Sequence, residues 1–182
     1  MRLPLPLAIV AALFAAVMVF LVVTALVPRR VAVFEPRPPK PSAVLGEDTI
    51  TLDARDPDHW RFFGFARGLL SPPDTAGWDL AVRRFRVIVA GEAARLDTIA
   101  FDALARAPAD GFVATTFDRD TLNRALARWY RYSMFSHLLH PRRQVYVIRS
   151  RAGRYIKLEF LSYYCPGPEP GCVTFRYKLL KP

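Results

Sequence analysis

Between Leu3 and Val27 the chain carries no charged residue, and the run LPLPLAIVAALFAAVMVFLVVTALV is closed by Pro28, Arg29 and Arg30. No other feature restricts the fold as sharply. In hydrocarbon every backbone N–H and C=O must be satisfied inside the protein, so a single span of this kind has to be a helix. About 20 apolar residues suffice to cross a bilayer, whereas a cleavable signal sequence has an apolar region of only roughly 7 to 15. Val23-Thr24-Ala25 has the small-residue character of a cleavage site. The length favours an uncleaved single-pass anchor, residues 1–28, with residues 3–27 in the lipid bilayer.

Orientation needs a second signal. Arg2 precedes the run and Arg29, Arg30, Arg37 and Lys40 follow it; a plain count of positive flanks would put the folded part in the cytoplasm, but long domains translocate largely regardless of such flanks. The chain's two cysteines, Cys165 and Cys172, both lie in YYCPGPEPGCVTF, with three prolines and two glycines between them and strand-like runs on either side. Proline and glycine at that density make a turn. A disulfide across its mouth would clamp the register of the two strands, and it persists only in an oxidising compartment. Two free thiols, or a metal pair lacking further partners, are the plainer alternatives. The expectation is an inner-membrane protein whose C-terminal domain stands in the periplasm.

Residues 29–47 contain most of a proline cluster, five prolines from Pro28 to Pro41, which reads as a semi-rigid extended spacer lifting a domain off the membrane. Residues 48–182 are the length of one domain and apolar enough for a core. Anchor and linker hold five basic and two acidic residues, which leaves the domain +7 of the chain's net +10. That charge suits anionic lipid headgroups or acidic neighbouring subunits. An arginine-rich coding bias with a solvated face accounts for it equally. Nucleic acid is not an expected partner for a domain outside the cytoplasm.

Within the domain DTITLDARDPDHW starts as a short alternating strand with Ile50 and Leu52 on one face. WRFFGF is a second strand, followed by a Pro-Pro turn. In WDLAVRRFRVIVAG, Leu80 and Val82 alternate in one phase and Phe85, Val87 and Val89 in the other, so a bulge is expected at Arg83-Arg84. Ala93 to Arg106 has weak helical character, and DRDTLNRALARWYRYSMF reads as a helix with Leu122, Leu126 and Trp129 or Tyr130 along one stripe. QVYVIRS, RYIKLEFLSYY and CVTFRYKLL then form a meander with tight turns at Arg151-Ala152-Gly153-Arg154 and at the cysteine loop. The expected class is β-rich α+β: a single transmembrane helix followed by an antiparallel β domain with one or two short helices.

Three blocks in order, GWDLAVRRFRV, WYRYSMFSHLLHPRRQVYVIRSRAGRYIKLEFLSYY and VTFRYKLL, resemble the HmuY-like family of bacterial envelope proteins from about Trp60 to Leu180. The resemblance implies a β-rich envelope domain. The founding type of that family captures haem between two axial side chains, and many relatives with the same blocks have no known haem role. Where the family often carries an Asn-Gly-Gly type turn this chain has Ala90-Gly91-Glu92, and none of the family's haem ligands maps residue by residue onto a position here.

The residues themselves offer one ligand group. The histidines are His59, His137 and His140, and the last two are three apart in SHLLHPRR, which on a helical turn would place both imidazoles on one side. A metal ion wants three or four ligands, and no cysteine or carboxylate lies close by in sequence, so no metal site is expected. Haem iron needs one or two axial ligands, which makes Met134, His137 and His140 the candidate haem ligands. Equally, His137 can be a hydrogen-bonded residue at a helix end and His140 the residue before a proline turn. Asp53, Asp56 and Asp58 lack the glycine and terminal glutamate of a calcium loop, and read as a solvated turn. There is no phosphate-cradling glycine loop, nucleophile elbow or Cys-x-x-Cys-His. No catalytic residue is assigned and an enzyme is not expected. RWYRY interleaves aromatic and basic residues, so Arg128, Trp129, Tyr130, Arg131 and Tyr132 form a candidate protein interface.

Two functions fit these features. The first is a non-catalytic accessory subunit without a cofactor, bracing a larger membrane complex such as a photosynthetic reaction centre with its antenna, whose integral membrane subunits would be its partners. The alternative is a tethered haem-binding protein of the envelope.

Overall fold

The computed structural model describes residues 4–26, 30–36, 46–70, 76–118 and 120–181. It divides into two units, Met1–Arg30 and Val31–Pro182. The first is α1, Leu5–Leu26, 22 residues with none buried. At about 1.5 Å per residue it matches the roughly 30 Å of bilayer hydrocarbon, and its one hydroxyl, Thr24, turns back onto the carbonyl of Phe20 at 2.9 Å.

The second unit is built from three antiparallel sheets. The largest has six strands in the order β1-β12-β11-β10-β6-β7: β1 is Asp48–Asp53, β6 Glu92–Leu96, β7 Val113–Ala114, β10 Val145–Arg149, β11 Tyr155–Cys165 and β12 Glu169–Leu180. A four-stranded sheet runs β3-β2-β4-β5, with β2 Arg61–Gly64, β3 Gly68–Leu70, β4 Leu80–Arg83 and β5 Arg86–Val89. A small hairpin pairs β8, Tyr130–Tyr132, with β9, Leu139–Pro141.

Alternation decides which side chains enter which core. Tyr146 and Ile148 of β10, with Ile156, Leu158 and Phe160 of β11 and Val173, Phe175 and Tyr177 of β12, join Phe63, Leu80, Val82, Val87 and Val89 of the smaller sheet in the main core. Phe63 meets Phe175 edge to face across the two sheets, centroids 5.8 Å apart. Val145 and Val147, one residue out of phase, pack with Phe101, Leu104 and Leu180 in a second cluster on the other face of the large sheet. The Lys157 ammonium lies buried there, donating to the carbonyls of Phe101 and Leu104 at 2.6 and 2.8 Å. Cys165 and Cys172 are joined in a disulfide that closes the β11–β12 hairpin.

The structure corrects the sequence reading in several places. Arg83-Arg84 is not a bulge, and Arg84-Phe85 is a hairpin turn: β4 and β5 pair with Arg83 opposite Arg86 and Leu80 opposite Val89. A two-residue turn reverses the chain and returns both alternation phases to the same face, so Leu80, Val82, Val87 and Val89 all reach the core. Arg84 takes a left-handed φ of 52° there. Ala93 to Arg106 is strand β6 and a short turn.

The expected helix at DRDTLNRALARWYRYSMF is absent; Asn123 to Trp129 is a chain of turns running into β8. Asn123 explains why. It is fully buried, its side-chain amide donates to the Val113 carbonyl at 3.0 Å, and its Oδ1 accepts the N–H of Ala125 and Leu126 at 3.1 and 3.3 Å. That side chain supplies the segment with backbone partners other than a helix. Among the described residues, the second unit contains no α-helix.

The start of the expected linker also departs from the spacer reading. Val31 packs against the main core, Ala32 offers its carbonyl to the Ser162 hydroxyl, and Val33 bridges to Tyr164 of β11. Residues 37–45, with the Pro38-Pro39 pair, and residues 71–75, with the other Pro-Pro turn, lie outside the described residues.

Candidate functional site

The β8–β9 hairpin carries all three residues expected to bind a ligand. Its tip is closed by two backbone bonds, Ser133 N–H to the Leu138 carbonyl at 2.9 Å and His137 N–H to the Ser133 carbonyl at 2.8 Å. His137 sits at a left-handed φ of 55°, a conformation that histidine tolerates better than most residues. The tight turn lifts Met134 and Phe135 out of the protein, 72% and 90% exposed. Tyr132 is also exposed, and its hydroxyl lies 2.6 Å from Nδ1 of His137.

That contact has a chemical consequence. With Nδ1 held by the phenol, the outward nitrogen of His137 is Nε2. A metal can bind there when Nδ1 keeps its proton and donates to the tyrosine oxygen, the arrangement in which a second partner orients a ligating histidine. The Ser136 hydroxyl, in the same tip, is buried and unpartnered.

His140 belongs elsewhere. It lies in β9 directly opposite Arg131, while Tyr132 is opposite Leu139, and residues paired across two strands share a face. His140 and Arg131 therefore stand on the opposite face of the hairpin from Tyr132. The helical turn expected to align His137 with His140 does not exist, so the two imidazoles do not converge. Met134 and His137 remain together at the tip.

The candidate interface divides likewise. Trp129 is fully buried, stacked on Phe160 at 4.4 Å and donating its indole N–H to the Phe85 carbonyl at 2.8 Å. It is a core residue and cannot meet a partner. Tyr130 is half-buried against Phe85, and burial pushes its phenol above the ordinary tyrosine range, opposed by Arg86. Arg128, Arg131 and Tyr132 are exposed, as are Arg142 and Arg143 just after the hairpin.

Sequence reasoning missed Phe135, and it placed Tyr132 in an interface without linking it to His137. An apolar pair bracketed by serines, SMFS, between two strand-like runs was the available signal for an exposed tip.

Neither of two cavities is lined by Met134, His137 or His140: one of about 230 Å³ lies beside Phe85, Arg86, Asp120 and Leu122, and a hollow of about 350 Å³ runs along Arg106–Ala109 and Tyr155. Among the described residues no group of three or more His, Cys, Asp or Glu could hold a metal ion.

A family model described as HmuY protein matches residues 56–177. No curated protein matches. Among solved structures, an apo HmuY analogue from Tannerella forsythia has 18% identity and a TM-score of 0.65, covering 78% of this chain and 100% of that one. A candidate HmuY-like haem-binding protein from Bacteroides vulgatus has 20% identity and a TM-score of 0.58, covering 74% and 92%. Apo PinO from Porphyromonas gingivitis has 13% identity and a TM-score of 0.60, covering 75% and 98%. At these identities the structural likeness is one of fold.

Proposed function

The chain belongs to the HmuY family, and from that premise we propose that it is a membrane-tethered, non-catalytic haem-binding protein of the bacterial envelope. Its domain would stand in the periplasm, held at the inner membrane by α1. The observation that carries this reading is the hairpin tip, where Met134 and His137 are exposed together and Tyr132 orients the imidazole.

The residues present fit the group. Nε2 of His137 or the thioether of Met134 would hold the iron, Phe135 and Tyr132 would offer faces for a planar apolar ring, and Arg142 and Arg143 would supply cations for carboxylates. The unpartnered hydroxyl of Ser136 is a further donor within the tip. A ligand held here would lie against an open surface.

The accessory-subunit reading keeps the exposure of Arg128, Arg131 and Tyr132 but loses Trp129. Neither the family match nor the solved structures named above support a photosynthetic host.

The test is titration of the purified full-length chain, in detergent, with haemin. A Soret band that sharpens and saturates is expected. His137→Ala should weaken binding by about 10-fold or more, and Tyr132→Phe by less, because it removes only the partner that orients the ligand. His140→Ala should leave the titration unchanged. An unmodified chain that shows no saturable Soret change defeats the proposal.

A further inference from the structure

The tether and the hairpin meet at one end of the domain. Val31, Ala32 and Val33 dock on β11 around Ser162 and Tyr164, and the hydroxyl of the same Tyr164 accepts the N–H of Leu139 in β9 at 2.8 Å. Four residues separate Leu26, the last of α1, from Val31. Whatever angle the helix takes, so short a stretch reaches at most about 18 Å. A domain carried on a spanning α1 therefore has its Ser162–Tyr164 end held close to the bilayer surface. The proline-rich residues 37–41 follow the docked segment and are not part of this tether.

That end of the molecule has the chemistry of a membrane interface. Phe135, Met134 and Tyr132 are exposed on a narrow hairpin, and exposed Arg128, Arg131, Arg142 and Arg143 flank it. Aromatic side chains settle at headgroup depth, and arginines beside them are drawn to anionic lipid within about a Debye length. No carboxylate interrupts the run from Leu122 to Leu158.

We infer that the β8–β9 hairpin is a second membrane contact, with Phe135 and Tyr132 seated among anionic phospholipid headgroups of the bilayer that α1 spans. The inference rests on the tethered reading of α1 and not on haem binding. It also implies that the ligand tip would sample molecules dissolved in the membrane surface rather than in bulk water.

The experiment places the full-length chain in nanodiscs and attaches a small fluorophore through Phe135→Cys or, as a control, Ala152→Cys. Ala152 is exposed in the turn at the opposite end of β11, about 30 Å along the strand from Tyr164 at the usual strand rise. With doxyl-labelled lipid in discs containing anionic phospholipid, quenching at position 135 should exceed that at 152 by about two-fold or more and should fall in purely zwitterionic discs. Replacing Arg131, Arg142 and Arg143 by glutamine should weaken the quenching without altering the circular dichroism. Equal quenching at both positions overturns the inference. So does a tip that is unquenched in nanodiscs but shielded from labelling in native membranes, since a protein partner would then cover it. No haem is added, so failure here is distinct from a failed haemin titration.

Discussion

At the scale of single residues, Gly91 is a position with no room for a side chain. A Cβ built there would lie 2.0 Å from the Arg149 carbonyl oxygen, where β6 begins its pairing with β10 at Glu92 opposite Arg149. The Glu92 and Arg149 side chains are ion-paired at the same point, so the chain has little freedom to retreat. Gly91→Ala should cost about 3 kcal/mol and lower Tm by about 10 °C in a thermal scan of the full chain; a drop of a degree or less would show that this junction yields. The sequence marked Gly91 as a departure from the family's turn but could not reveal why glycine is required, because the atom it makes room for is 58 residues away. His137 teaches the same lesson. Its spacing to His140 suggested a shared helical face, while its actual partner, Tyr132, is visible only once the hairpin is drawn.

Among the elements, the β11–β12 hairpin was the most legible, because alternation on both sides of a Pro/Gly loop has one economical solution. Its disulfide closes a ring with a sequence separation of 7, and a ring of that size restricts the unfolded chain by about 2.5 kcal/mol in the loop-entropy account. Replacing Cys165 and Cys172 together by serine should therefore lower stability by about 2 to 3 kcal/mol in urea titration and leave the far-ultraviolet circular dichroism intact; an unchanged midpoint would mean the strands hold the turn unaided. The segment from Asn123 to Trp129 was the least legible. Leu126 and Trp129 are three apart and do face one core, so the apolar pattern was read correctly and its geometry was not. A succession of turns can bring residues i and i+3 to one side as a helix does. What decides between them is the buried side chain of Asn123, satisfied by Val113 and by its own downstream amides.

For the molecule as a whole, the main core is unusually phenolic. Tyr146, Tyr163, Tyr164 and Tyr177 are buried, with Tyr130 packed beside them, and desolvation raises the pKa of all five, that of Tyr177 to about 12. A phenol whose folded pKa lies above its unfolded value of about 10 stabilises the fold fully below pH 10, and that contribution is lost as pH rises through the folded value. Lys157, held below its ordinary value by desolvation, acts with the opposite sign over the same range, but it is one group against five. Stability should thus hold from neutral pH up to about 10 and collapse between roughly 10 and 12, with tyrosinate absorbance rising as circular dichroism falls; an ordinary tyrosinate titration at about pH 10 with the fold intact would refute this. The two clusters on opposite faces of the large sheet show where sequence reading stops. By itself the sequence determined what each short stretch can hide from water: a charge-free run long enough for a bilayer, alternating strands, and a stapled turn, because those patterns follow from the fixed periods of helix and strand. Only the tertiary structure decided which stretches meet. It docked Val31–Val33 on β11, turned a helix-like pattern into the wall of a core, and separated His140 from His137, because such contacts join residues distant along the chain and no local period encodes them.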